Sequence, residues 1–199
     1  HDGKKMVPLP GGAYFSERLV FGIASLDPDQ LLIGLFEGDV IRFNLTEGRV
    51  DSSFIDGRLK QELISAGGVT NIMIKDDRIF MGTMNGGLYI LDRQGKMVEH
   101  ITQRQGLINE TITHVYVGAD FEKSPVLWVA HYKGISRIEL NNPLRMVPTG
   151  RGRMNMGEMG SGESILDMEE FNGELYISTM RGLHKSSTIT DIPRFRTLG

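Results

Sequence analysis

Apolar residues in this chain fall in short runs ended by turn-forming clusters, and four of the runs line up. "LLIGLFEGDVIRF" from Leu31, "IFMGTMNGGLYIL" from Ile79, "LWVAHYKGISRIE" from Leu127 and "LYISTMRGLHKSS" from Leu175 start 48 residues apart each time. Their second column is bulky (Leu32, Phe80, Trp128, Tyr176) and their third aliphatic or Met (Ile33, Met81, Val129, Ile177). The fourth is small (Gly34, Gly82, Ala130, Ser178), and the eighth is glycine throughout (Gly38, Gly86, Gly134, Gly182). Agreement in several columns at one spacing establishes an internal repeat.

Each run is preceded by another apolar segment, at 21–26, 69–74, 112–117 and 165–168. Turn chemistry joins the two at Asp27-Pro28-Asp29, Asp76-Asp77 and Asn172-Gly173. A third short strand follows the shared glycine, and a fourth is expected near 97–101 and 145–149. Each unit therefore predicts four antiparallel strands. A continuous apolar second strand is expected where a sheet is covered on both faces. The small column fits close approach of neighbouring sheets, and the shared glycine supplies a positive φ at the turn. Upright sheets of this length arranged radially make an all-β fold, a β-propeller, with blades at about 17–56, 64–103, 107–150 and 163–199. No sustained 3.6-residue period occurs. Residues 57–64 are the best helical candidate and read as a loop with one turn.

Residues 5–11 resemble 145–151, a fourth-strand position, and 194–199 fall at a fourth-strand position too. Both ends thus claim the same role, which predicts a stray outer strand at 5–11 and an open arc of about four blades cut from a larger ring. A small closed ring is the alternative. The uncovered end faces of an arc are expected to drive self-association, as a homo-dimer.

Charge and composition narrow the function classes. A net charge of −3 without a basic block argues against nucleic acid as a partner. The absence of cysteine excludes disulfides and thiolate metal sites. No apolar run is long enough to span a membrane, and residues 1–12 lack the apolar core of a signal peptide. His114 and His131, on neighbouring strands, are a conceivable metal pair, although ordinary hydrogen-bonded histidines are the default reading. The acidic pairs Asp76-Asp77 and Glu169-Glu170 sit in or beside turns, where solvated roles suffice. The loop at 149–164 is rich in glycine, arginine and methionine but lacks a phosphate-loop pattern, and reads as a connection between blades. No cofactor and no catalytic residue is predicted.

The candidate ligand residues are the pair before each shared glycine: Phe36 and Glu37, Met84 and Asn85, Tyr132 and Lys133, Met180 and Arg181. The first of each pair is apolar or aromatic and the second is polar and varies from unit to unit, as in a ligand site built on loops. Tyr132 is suited to stack on a sugar or another flat ring, and Lys133 and Arg181 to pair with a carboxylate or sulfate. A small molecule or an oligosaccharide is the expected ligand class.

Residues 87–144 resemble the two-component regulator propeller repeat. The matching pieces are Gly106-Leu107, 112–117, 127–130, Gly134-Ile135 and 138–141; residues 174–187 with 195–199 resemble a further blade. The first unit departs most, with Asp39 where that family prefers Leu or Ile. The resemblance implies the non-catalytic, periplasmic or extracellular sensor region of a membrane-anchored receptor. Such receptors are histidine kinases, hybrid or ordinary, or diguanylate cyclases, with rings of often seven blades. It further implies neighbouring blades of a parent propeller as partners and no membrane contact by this segment. A protein-interaction scaffold and a propeller hydrolase or lyase are the alternative functions.

Overall fold

The computed structural model describes residues 8–119, 125–140, 165–172, 174–180, 182–186 and 195–198. Four antiparallel sheets follow one another along the chain. The first holds β1 (Val20–Asp27), β2 (Gln30–Leu35), β3 (Val40–Asn44) and the short β4 (Val50–Asp51). The second holds β5 (Val69–Lys75), β6 (Arg78–Thr83), β7 (Leu88–Asp92) and β8 (Met97–Ile101). The third shows β9 (Ile112–Ala119), β10 (Pro125–His131) and β11 (Ile135–Glu139). The fourth holds β12 (Ile165–Phe171), β13 (Glu174–Thr179), β14 (Gly182–Ser186) and β15 (Phe195–Leu198). Each sheet is a meander in which sequential strands pair, as the tight turns require. The expected strand at 145–149 and the loop at 149–164 lie outside the described residues.

The sheets stand side by side with their first strands in sequence, β1 on β5, β5 on β9 and β9 on β12. The core lies between them. Leu32 and Val40 of the first sheet meet Val69, Ile72 and Met81 of the second. Phe80 and Leu88 meet Ile112, Val115 and Val129, and Trp128 and Ala130 meet Met168 and Ile177. The small column does what close approach demands: a Cβ on Gly34 would lie 2.6 Å from Val69 Cγ1 and 2.8 Å from Ile72 Cδ1 of the next sheet. These are propeller-like blades in an open arc.

Two expectations about local structure are corrected. Residues 57–64 are not a loop. Gly57–Ser65 form a helix, α1, in the connection between the first two blades. Asp56 caps it, its carboxylate accepting from Leu59 N–H at 2.7 Å, and Arg58 and Glu62 pair one turn apart at 3.0 Å. Leu59 and Leu63 bury one face in the first inter-blade core, which two turns are too short to announce as a period. Lys60 also reaches Asp39 at 2.6 Å, giving the unusual acid of the first unit a partner.

The second correction concerns 5–11. Its described part, residues 8–11, is an irregular segment and turn leading into the 3-10 helix Gly12–Phe15 rather than a strand. Tyr14 and Phe15 pack on the outer face of the first blade, beside Ile33 and Phe43. The shared-glycine rule also shifts in the second unit: Gly38, Gly134 and Gly182 carry positive φ, but there the positive φ belongs to Gly87. Gly86 is needed instead for contact, because a side chain there would overlap Ala66 at the end of α1.

Candidate functional site

The loops joining second to third strands share one end of the sheets, and in the first three blades they are held there by one repeated bond. The residue following the second strand donates its N–H to the residue just before the first strand of its own blade. Phe36 bonds Leu19 O at 2.9 Å, Met84 bonds Gly68 O at 3.4 Å and Tyr132 bonds Thr111 O at 3.1 Å. Beyond that anchor the tips differ. Phe36 is half-buried against Phe21, with ring centroids 5.3 Å apart, and Glu37 is exposed beside Tyr14 and Arg18 in a hollow of about 320 Å³. Met84 is half-buried, whereas Asn85 is exposed and lines an open cleft of about 680 Å³ with Arg58, Gln61, Glu62 and His100. Tyr132, Lys133 and Met180 project into solvent. Arg181 lies outside the described residues.

Among the described residues the rim positions are therefore not gathered into one pocket: Glu37 and Asn85 face separate hollows. The 680 Å³ cleft owes its wall to α1, which the hydrophobic pattern does not reveal. Its floor is the His100 ring stacked on Tyr89 at 4.0 Å, with His100 Nε2 2.6 Å from Gly86 O. The Tyr89 hydroxyl pKa is raised, first by burial and then by the carboxylates of Glu62 and Glu110, so it stays protonated.

A second feature runs along the first strands. Asn71, His114 and Asp167 occupy one register position, each paired across the sheet with the small column, Gly82, Ala130 and Ser178. Asn71 Nδ2 lies 3.2 Å from His114 Nδ1, and His114 Nε2 lies 3.2 Å from Asp167 Oδ1. Val115 N–H donates to Asn71 Oδ1 at 3.1 Å, which leaves the amide N–H as donor to His114 and its Nε2–H as donor to Asp167. One neutral tautomer thus satisfies a polar chain through three blades. Burial lowers the His114 pKa, opposed by Asp167 and Glu169. Pairing His114 with His131 missed this chain. Aligning the first strands as "VTNI", "ITHV" and "ILDM" exposes the polar position, but the longer hairpin of the third unit displaces it from the 48-residue frame.

His131 serves a different purpose. It is fully buried at the end of β10, with Nε2 2.8 Å from Ser136 Oγ. In the fourth blade the same two positions hold Thr179 and His184, 3.1 Å apart, so the third and fourth blades each close the loop with one imidazole and one hydroxyl. Neither His114 nor His131 joins a cluster of three or more potential metal ligands among the described residues. Burial pushes the His131 pKa from 6.5 down to about 4, only partly offset by the backbone carbonyls of Asn109 and Thr111.

The unfolded chain takes up that proton near pH 6.5 and the folded chain does not until about pH 4. Stability is therefore full above pH 6.5 and declines between 6.5 and 4, by about 3 kcal/mol from this residue. His131→Thr, which installs the residue present at the equivalent Thr83 and Thr179, is expected to remove most of that slope in urea midpoints measured from pH 7.5 to 4.5. An unchanged slope would contradict it. Asp51 acts lower: hydrogen bonds from the Ser53 hydroxyl and N–H, then from Arg42, hold its pKa at about 2, so its contribution is lost only as pH falls below 3.8.

No protein-family profile and no curated protein sequence matches the chain. Solved structures do. A computationally designed protein, Ika4, superposes with TM-score 0.56 at 12 % identity, over 92 % of this chain and 93 % of its own. The extracellular domain of a putative one-component system from B. thetaiotaomicron gives TM-score 0.62 at 17 % identity, over 89 % of this chain and 22 % of that domain. That of a putative hybrid two-component system from the same organism gives 0.61 at 17 %, over 92 % and 25 %. The fold is a propeller-like arc. At these identities the likeness is one of architecture, and the arc spans a quarter or less of either extracellular domain. No helix among the described residues is long and apolar enough to cross a membrane.

Proposed function

We propose that this arc is part of the non-catalytic, extracytoplasmic sensing propeller of a membrane receptor of the one- or two-component type, and that it binds a small polar ligand through its rim loops. The observation that carries the reading is the contrast within the rim. The frame is constant, with the same N–H to carbonyl anchor at Leu19, Gly68 and Thr111, while the exposed tips Glu37, Asn85 and Lys133 differ in charge and shape. A constant frame with variable tips is how a repeat fold acquires a specific surface. The likeness to extracellular domains of signalling receptors supports the class of protein, and the resemblance of residues 87–144 to the two-component regulator propeller repeat supports the same class from sequence.

Thermal unfolding against a panel of sugars, amino acids and small organic acids tests it. A ligand present at a hundred times its Kd stabilises by about 2.7 kcal/mol, a rise in Tm on the order of 5–10 °C for a chain this size. The triple change Asn85→Ala, Tyr132→Ala and Lys133→Ala is expected to abolish that rise while leaving the unliganded Tm within about 2 °C, since all three side chains are exposed. A full ligand-induced rise in the triple variant would overturn the rim as the binding surface.

A further inference from the structure

The hydrogen-bond chain that joins the first strands across two junctions has a fixed direction. β5 packs on β9, and β9 on β12. At the β5–β9 junction Asn71 makes two bonds: its Oδ1 accepts from the Val115 N–H at 3.1 Å, and its Nδ2 lies 3.2 Å from His114 Nδ1. The Val115 N–H only donates, so the amide oxygen is committed to it and the amide nitrogen faces His114 as a donor. His114 Nδ1 is therefore an acceptor and carries no proton. At the β9–β12 junction His114 Nε2–H donates to Asp167 Oδ1 at 3.2 Å, the same oxygen that accepts from the Met168 N–H at 2.9 Å. The His114 side chain keeps 24 % of its surface exposed, enough to exchange a proton with solvent.

We propose that His114 is a proton-operated coupler between blades: a proton taken up at Nδ1 breaks a bond at the β5–β9 junction and strengthens the bond to β12. Once both ring nitrogens carry hydrogen, Nδ1–H meets the Asn71 amide nitrogen donor to donor. Turning the amide over gives Nδ1–H an oxygen but sets the amide nitrogen against the Val115 N–H. Val115 is 1 % exposed, so either outcome costs the β5–β9 junction one buried hydrogen bond. On the other side an imidazolium faces a carboxylate, and a charge-assisted bond replaces a weaker one. Cohesion passes from one junction to the next, as in a two-state element biased by histidine charge. The surroundings leave His114 as the group that switches. β5 presents Thr70, Asn71 and Met73 to β9, none of them ionisable. β6 presents Phe80 and Gly82. β10 sets Ala130 opposite His114 and carries His131, which stays neutral until about pH 4. β12 brings the carboxylates of Asp167 and Glu169, which favour the proton and oppose the burial that lowers the His114 pKa from 6.5.

Amide and histidine-ring nuclear magnetic resonance spectra of the full chain, recorded from pH 7.5 to 5.0, test it. The Val115 and Met168 amide signals are expected to move with one midpoint, that of the His114 ring, below 6.5. In His114→Gln, whose neutral amide bonds on both sides at every pH, neither signal should titrate. Asn71→Asp offers one oxygen to Nδ1–H and the other to the Val115 N–H. It is expected to raise the His114 midpoint by about one pH unit or more and to hold the Val115 signal in place. The first two comparisons stand whether or not Asn71→Asp folds. A Val115 signal that stays fixed while His114 titrates, or that moves equally in His114→Gln, would overturn the proposal, as would an Asn71→Asp chain whose His114 midpoint fails to rise.

Discussion

Gly68→Ala is expected to cost the folded chain about 4 kcal/mol or more, well above an ordinary single substitution. Gly68 follows the end of α1, where Gly67 N–H reaches Ile64 O at 3.1 Å and Gly68 N–H reaches Leu63 O at 2.9 Å. Both glycines have positive φ, +76° and +86°, so any side chain there carries a backbone penalty of about 1 kcal/mol. Gly68 has a second constraint. It passes directly beneath the first blade's rim loop, and an added Cβ would overlap the Phe36 carbonyl oxygen. No side-chain rotation relieves a collision with backbone. The first junction must open or the α1 connection must move, and either exposes Leu63, Val69 and their neighbours. Gly67→Ala is the milder comparison, because it shares the positive φ but its nearest neighbours are Asn85 Nδ2 and Met84 Cβ at 3.0 Å and no backbone atom. Gly57→Ala meets nothing within 4 Å in the first turn of α1 and is expected to be neutral or stabilising by about 0.5 kcal/mol. Urea midpoints rank the three, and a Gly68→Ala cost no larger than that of Gly67→Ala would contradict the close approach.

Trp128→Ala is expected to cost about 3–5 kcal/mol, with a fall in Tm on the order of 10 °C. Trp128 is the bulky residue of the third junction, buried with Val126, Ala130, Met168 and Ile177 and flanked by Tyr116. The equivalent positions hold Leu32 and Phe80, which fill the first and second junctions. Trp128→Leu should therefore recover a large part of the loss. In a repeat architecture each blade is stabilised mainly by its neighbours, so the damage should be local. Amide exchange is expected to accelerate across β12–β14 while β1–β3 and β5–β7 keep their protection. Uniform acceleration across all four blades would show that the arc unfolds as one unit.

Most of the strand framework was legible in the chain. The columns led by Leu31, Ile79, Leu127 and Leu175 are second strands, and the Asp76-Asp77 turn lies where the pattern put it, with φ +52° at Asp76. The small column marks the close approach of neighbouring sheets, as Gly34 and Gly82 show. The candidate site was less legible. The rim loops share one end, but the cleft beside Asn85 needs α1 for its wall, and α1 offers only Leu59 and Leu63 as an apolar face. Two residues one turn apart are too few to set a period against a background of strands.

By itself, then, the sequence determined the repeating unit, its strand order, most of its turns and the continuous burial of its second strands. These depend on backbone preferences and side-chain alternation within a few residues, and they recur four times, so each copy corroborates the others. Only the tertiary structure decided that Gly86 serves contact while Gly87 turns the chain, that Asp39 is answered by Lys60, and that Asn71, His114 and Asp167 form one polar chain across three blades. Those properties belong to pairs of surfaces contributed by different blades, and their energies depend on which atoms the fold brings within a few ångströms, a distance that spacing along the chain does not encode.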